Sequence, residues 1–235
     1  MNAEPSPGFL SRTLRQLLTR PAVITSMERL EERFRLIELT PCTPQADAWA
    51  PGMKLQIALG SVLSMRTYTP IEVDRQSGRL RVLAYIHGAG LSKRWLDAAK
   101  CGDIWHLFGP RRSLDLEGVQ DHVVFIGDET SLGLSHAFAI GRPEVHAHHV
   151  FESDDVPGTM AVLERLGLAA TVLQRGDPSA LQEIARMHCR EGTHFVLTGL
   201  SSTIQALKRA MREWQLPARR VQTKAYWAPG KIGLD

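Results

Sequence analysis

Residues 122–131 read His-Val-Val-Phe-Ile-Gly-Asp-Glu-Thr-Ser, and this run decides the fold. Val123, Val124, Phe125 and Ile126 are apolar without interruption. A strand with one solvated face alternates; an unbroken run belongs to a strand buried on both faces of a parallel sheet. Downstream, the pattern switches repeatedly. Residues 131–141 (SLGLSHAFAIG) read as a helix, 146–152 (HAHHVFE) as a strand and 156–167 (VPGTMAVLERLG) as a helix. Then come 170–175 (ATVLQR), a strand, and 178–190 (PSALQEIARMHCR), a helix with Leu181, Ile184 and Ala185 on one side. Residues 193–199 (THFVLTG) form a fourth strand. Residues 202–214 (STIQALKRAMREW) form a strong helix, with Ile204, Leu207, Met211 and Trp214 on one face. VQTKAYW, 221–227, closes the series. Strands alternating with helices specify a parallel, Rossmann-like α/β domain.

Upstream the text is different. AVITSMERL (22–30), RFRLIELT (33–40), MKLQIAL (53–59), RLRVLAYIH (79–87) and IWHLFG (104–109) are short β-like runs divided by proline and glycine turns. Such spacing predicts an antiparallel β-barrel of the six-stranded type. The chain therefore divides into a barrel over residues 1–118 and an α/β domain over 119–235. A leucine pattern at Leu10, Leu14, Leu17 and Leu18 predicts a short amphipathic helix before the barrel.

The totals exclude several classes. Hydrophobic content of 43% and charged content of 23% are those of an ordinary globular protein. A net charge of +3 is too small to imply nucleic acid. No run approaches the roughly 20 apolar residues that cross a bilayer, and MNAEPSPGFL lacks the pattern of a secretory leader. Three dispersed cysteines, Cys42, Cys101 and Cys189, build neither a disulfide framework nor a metal knuckle. A reducing cytoplasm is the simplest compartment. His146 and His148 share a strand face but lack a third ligand in sequence, so no protein metal site is expected.

Three stretches offer chemistry. In Met65-Arg66-Thr67-Tyr68-Thr69-Pro70, strand alternation puts Arg66 and Tyr68 on one face. A guanidinium fork beside a ring suits a ligand with a pyrophosphate and a flat heterocycle; an exposed cross-strand pair fits the same residues. Pro70 ends the strand, and Thr69 reaches that ligand only if the chain curls there. His87-Gly88-Ala89-Gly90-Leu91-Ser92 joins a strand to a helix carrying Trp95. Its glycines permit close backbone approach, and Ser92 is placed to cap a helix N-terminus that attracts phosphate. Gly127-Asp128-Glu129-Thr130-Ser131 follows the first parallel strand, where α/β sheets bind nucleotides. Asp128 and Glu129 would repel a pyrophosphate set squarely there, and a capping role for Asp128 or Thr130 is an equal reading.

Together, R-x-Y-T, HGAG-SKRW, CGDIWHLFGP, GDETS and KAYWAPG resemble the siderophore-interacting protein family of the ferredoxin–NADP⁺ reductase superfamily, over nearly the whole chain. The resemblance implies an FAD enzyme that draws electrons from NADPH or NADH to reduce a ferric siderophore or other small iron chelate. It implies that Arg66 holds the pyrophosphate, with Thr67 in the same strand. Tyr68 packs on the flavin, Thr69 bonds near its reactive nitrogen, and these two are the catalytic candidates. His87, Gly88, Gly90, Ser92 and Trp95 complete the cofactor seat. Asp128, Glu129 and Thr130 line the nicotinamide side, and Tyr226 and Trp227 cover the flavin.

Glu152, Asp154 and Asp155 follow the second parallel strand, where an acid favours NADH. Arg175 could instead meet a 2′-phosphate, the role that the resemblance favours. Lys224, Arg220 and Lys231, in a basic C-terminal third, are the expected contacts of an anionic siderophore or an acidic redox protein. Departures from the family pattern are Leu91 in place of proline, the run Ser131-Leu132-Gly133-Leu134-Ser135-His136, and Ala228 in place of arginine.

Overall fold

The computed structural model describes residues 19–43, 49–58, 65–88 and 91–231, excepting the side chains of Leu91 and Ser92. The expected N-terminal helix and Gly90 lie outside these residues.

The first half holds β1 (Arg20–Glu31), β2 (Phe34–Pro41), β3 (Met53–Ala58), β4 (Met65–Tyr68), β5 (Pro70–Val73), β6 (Leu80–Tyr85), α1 (Leu91–Ala98) and β7 (Ile104–Arg112). The strands form one antiparallel sheet in the order β4-β3-β7-β1-β2-β6-β5. Its two edges, β4 and β5, are consecutive in sequence and separated only by Thr69. Tyr68 pairs with Leu55 of β3, while Pro70 pairs with Val82 of β6. The chain thus changes partners at Thr69, and the sheet rolls up into a barrel there. Seven strands stand where six were expected, because Pro70 cannot donate to a ladder and breaks one run into two. Ile24, Ile37, Leu39, Ile57, Val82, Ala84, Trp105 and Leu107 fill the core, with Tyr68 and Trp95 against its margin.

The second half holds β8 (His122–Asp128), a 3₁₀ turn (Glu129–Ser131), α2 (Leu132–Gly141), β9 (His146–Ser153), α3 (Val156–Leu166), β10 (Thr171–Gln174), α4 (Pro178–Met187), β11 (His194–Leu200), α5 (Ser201–Glu213) and β12 (Val221–Trp227). These strands are parallel, in the order β10-β9-β8-β11-β12. The helices start where local chemistry dictates. Asp155 accepts from the Gly158 amide at 3.0 Å, and Asp177 from the Ser179 and Ala180 amides at 3.0 and 3.1 Å.

The two sheets share a core. Leu30, Phe34, Leu36, Ile71 and Leu83 of the barrel pack with Leu132, Phe151, Val162, Leu163 and Leu168. Burying that surface fixes the mouth of the barrel against the parallel sheet. Gly133 permits the approach: a Cβ there would stand 3.3 Å from Ile71 Cγ2 and 3.4 Å from the Thr69 carbonyl oxygen.

His149 of β9 sets a pH dependence. It is 6% exposed, its ring stacks on Phe125 at 5.4 Å, and Nδ1 has no hydrogen-bond partner. Burial pushes its pKa down to about 4. The unfolded chain then binds the proton more tightly, so stability is full above about pH 6.5 and falls as pH drops towards 4. The expected loss approaches about 3 kcal/mol. Urea unfolding between pH 7 and 4.5 measures it. His149→Phe should flatten that slope, and an unchanged slope would assign the acid sensitivity elsewhere.

Candidate functional site

The barrel contributes its closing edge. Arg66 and Tyr68 lie on one face of β4, opposite Ile57 and Leu55 of β3, with Thr67 on the other face. All three are partly buried. Burial pushes the Tyr68 phenol up to about 12, against a downward pull from the Arg66 charge, so it stays protonated at neutral pH. Thr69 has left the ladder and lies close enough to Tyr226 of β12 for its hydroxyl to influence the phenol. The curl at Pro70 therefore turns Thr69 out of strand alternation and towards the second sheet. Burial raises the Tyr226 pKa, and the Thr69 hydroxyl opposes that rise.

The turn after β6 stands beside this edge. Gly88 has φ +50°, and no atom lies within 4 Å of where its Cβ would be. Helix α1 begins at Leu91, so Ser92 is the second helical residue and not the expected cap. The backbone amides of that first turn remain at the helix end. Trp95 is engaged behind, stacked on Trp105 with centroids 3.9 Å apart. His87 lies between Tyr85 and Trp227, each ring 4.8 Å away. Burial lowers its pKa, and the Asp128 and Glu129 carboxylates pull it back up.

The C-terminal edge of the parallel sheet supplies the other wall. Asp128 and Glu129 were expected to line an opening; instead they are 0% and 2% exposed, with their carboxylates engaged inside. Asp128 Oδ1 accepts from the Thr130 amide at 2.9 Å and from the Thr130 hydroxyl, while Oδ2 accepts from Trp227 Nε1 at 2.7 Å. The capping role is therefore real, and one carboxylate also fixes the indole. Burial raises the Asp128 pKa, with the Thr130 and Trp227 donors opposing. Gly199 makes room for this carboxylate at φ +96°.

Glu129 accepts from the Ser153 hydroxyl and the Asp154 amide, both at 3.0 Å, and from Tyr85 at 3.3 Å. Its other oxygen pairs with Arg175. Arg175 also donates to Glu152 at 3.2 Å and to Asp154 at 2.8 Å, and its guanidinium lies 5.7 Å from the Trp227 ring centroid. Expected at a 2′-phosphate, it is instead held by three carboxylates. Burial works against its charge, and Glu129 more than restores it, so its pKa is raised. Glu152 is pushed up by burial and held down by Thr203, which donates at 2.6 Å, and by Arg175.

The basic candidates separate. Lys224 pairs with Thr198 of β11 just before the register shift at Tyr226, and Lys231 is exposed in the turn beyond Trp227. Arg220 does not join them. It precedes β12, at the opposite edge of the sheet, where burial and then the Arg220 charge lower the His194 pKa. Trp227 stands at the other end of that seven-residue strand. Tyr85, Ser153, Gly199 and Thr203 enter the site without having been anticipated. Only Gly199, a glycine at the end of an apolar strand run, carried a legible signal.

Two family models match the chain. One described as a siderophore-interacting FAD-binding domain covers residues 29–114, and one described as siderophore-interacting protein covers 120–230. No curated protein matches. Among solved structures, the siderophore-interacting protein from Acinetobacter baumannii is 17% identical, with a TM-score of 0.76 over 91% of this chain and 92% of that one. The siderophore-interacting protein from Aeromonas hydrophila is 19% identical, with a TM-score of 0.71 over 92% and 94%. Phthalate dioxygenase reductase, described as a modular structure for electron transfer from pyridine nucleotides to a 2Fe–2S centre, is 16% identical, with a TM-score of 0.77 over 92% of this chain and 71% of that one. At these identities the likeness is one of fold.

Proposed function

Since the chain belongs to the siderophore-interacting protein family, we propose that it is an NAD(P)H-dependent reductase of ferric siderophores, releasing iron as Fe(II). At the coarser level it is a flavin-dependent oxidoreductase, with FAD as cofactor and NAD(P)H as electron donor. The observation that carries the finer reading is the match of both halves of the chain, residues 29–114 and 120–230, to siderophore-interacting family models. Thr69 on the barrel's closing edge and Tyr226 on β12 lie close enough to interact, which brings the two sheets together at this point.

The residues present suit FAD. Arg66 offers a fork for the pyrophosphate, and Tyr68 offers a neutral ring for the isoalloxazine. Gly88, at positive φ with open space around it, lets the backbone approach at the start of α1. Bound there, FAD supplies the redox chemistry, accepting a hydride and passing electrons singly to iron. The chain positions and shields. Thr69 and Tyr226 hold hydroxyls at the junction, and Trp227, fixed by Asp128, covers the space beside His87. Lys224 within β12 and Lys231 just beyond it supply positive charge near the C-terminal end of the chain for an anionic iron chelate. Oxygen donors hold Fe(III) more tightly than Fe(II), so reduction favours release.

The purified protein should be yellow. NAD(P)H should bleach it without oxygen, and added ferric siderophore should restore the colour while a ferrous-specific chelator traps Fe(II). Turnover with ferredoxin but not with ferric chelates would replace the acceptor in this reading. A bound flavin that no nicotinamide bleaches would reduce the protein to a flavin-binding module.

A further inference from the structure

We propose that Asp154, backed by the buried Glu152–Arg175 pair, reads the free 2′-hydroxyl of the donor's adenosine ribose, so that NADH and not NADPH is the electron donor. The inference rests on the reductase reading, because the nucleotide follows from the family and the fold. The carboxylates decide only which nucleotide it is.

Position comes first. The edge of the parallel sheet facing the barrel runs from Tyr226 on β12, across β11 and β8, to Glu152 on β9. Three strand spacings make that path ~14 Å. A nicotinamide at the Thr69–Tyr226 end therefore leaves an extended dinucleotide's adenosine half near the end of β9. In doubly wound sheets, an acid at the end of the second strand is the group that accepts from a ribose 2′-hydroxyl. Here β9 is the second strand, and Asp154 directly follows its last residue, Ser153.

Charge comes second. Among the described residues, Arg175 is the cation ion-paired to these acids, its guanidinium meeting Glu129, Glu152 and Asp154 at once, while Arg33 donates to Tyr85 and feels the Asp154 charge. The Arg175 side chain is 14% exposed and lies beside the Trp227 ring. A 2′-phosphate arriving here would face three carboxylates whose ion-paired guanidinium is already fully engaged. To bind, it would have to take Arg175 from Glu129 and Glu152, whose side chains are 1% and 6% exposed. That would strand buried carboxylates, which is costly. A hydroxyl makes no such demand. Asp154 keeps 58% of its side chain exposed, so one of its oxygens can accept from a ribose while Oδ1 stays on Arg175. Arg175 is then a positioning residue that holds the acids, not a phosphate reader.

Anaerobic flavin reduction, followed at the flavin band in stopped flow, tests this on the FAD-loaded protein without any iron substrate. NADH should exceed NADPH by about tenfold or more in the second-order rate constant. Asp154→Ser lies on an exposed side chain and should fold. It should weaken NADH, spare or improve NADPH, and so narrow the ratio about tenfold. Circular dichroism and flavin content establish that the variant is intact. Equal use of both nucleotides, a preference for NADPH, or a ratio unmoved by Asp154→Ser overturns the inference. If NADPH is preferred while ferric siderophore is still reduced, only the inference falls. If NADH bleaches the flavin and no ferric chelate reoxidises it, the siderophore reading falls and this one stands.

Discussion

Arg175→Met should lower the free energy of unfolding by about 3–5 kcal/mol, the usual cost of removing one partner from a buried ion pair. The side chains of Glu129 and Glu152 are 1% and 6% exposed, and both depend on this guanidinium. Methionine keeps much of the apolar stem but leaves both carboxylates unpaired beside a third at Asp154. The variant's acid response should also change. Unpaired and buried, Glu152, whose pKa burial already raises, would bind its proton more tightly folded than unfolded, so the variant should lose less stability than the wild type as pH falls towards 5. The wild type should lose stability over the same range because of His149. Urea midpoints at pH 7.5 and 5 measure both effects. Arg175→Met with Glu129→Gln should recover part of the loss. A loss under about 1 kcal/mol, with NADPH turnover impaired and NADH spared, would return Arg175 to the 2′-phosphate.

Gly199→Ala should cost about 3 kcal/mol or more, from two sources. The backbone there has φ +96°, where an L-residue is strained by about 1–2 kcal/mol. The new Cβ would also stand 2.5 Å from Asp128 Cγ and Oδ2 and 2.6 Å from Oδ1. That carboxylate must shift, and it holds both the Thr130 turn and the Trp227 indole. Gly176→Ala is the control, because Gly176 has φ +105° with nothing within 4 Å of its Cβ position. It carries the backbone cost alone. Thermal unfolding of the two variants separates strain from collision. Flavin affinity should fall only in Gly199→Ala, since only there does the support of Trp227 move. Equal destabilisation would remove Asp128 from the explanation.

Much of the architecture was legible. Val123 to Ile126 marked the central parallel strand, and the 3.6-residue spacing of Ile204, Leu207, Met211 and Trp214 marked α5, because burial imposes those periods locally. The curl at Thr69 was legible too, as a consequence of Pro70. Its effect was not: β4 and β5 are opposite edges of one sheet, and sheet closure is set by pairings distant in sequence.

The site divided in the same way. Residue types and turn chemistry singled out Arg66, Tyr68, Gly88, Asp128 and Arg175, because forks, rings, glycines and caps carry their properties wherever they stand. The directions in which charged side chains point do not follow from type. Asp128 and Glu129 turned inward because donors from β6, the end of β9, β12 and Arg175 beyond β10 converge on them, and Arg175 turned to carboxylates on β9, just after it and in the 3₁₀ turn after β8. Arg220 lost its place because one strand's length carries it to the far edge. By itself the sequence determined a barrel followed by a parallel α/β sheet, and a short set of groups able to meet a flavin. Only the tertiary structure decided which charges pair, because an ion pair depends on a few ångströms between strands far apart in sequence.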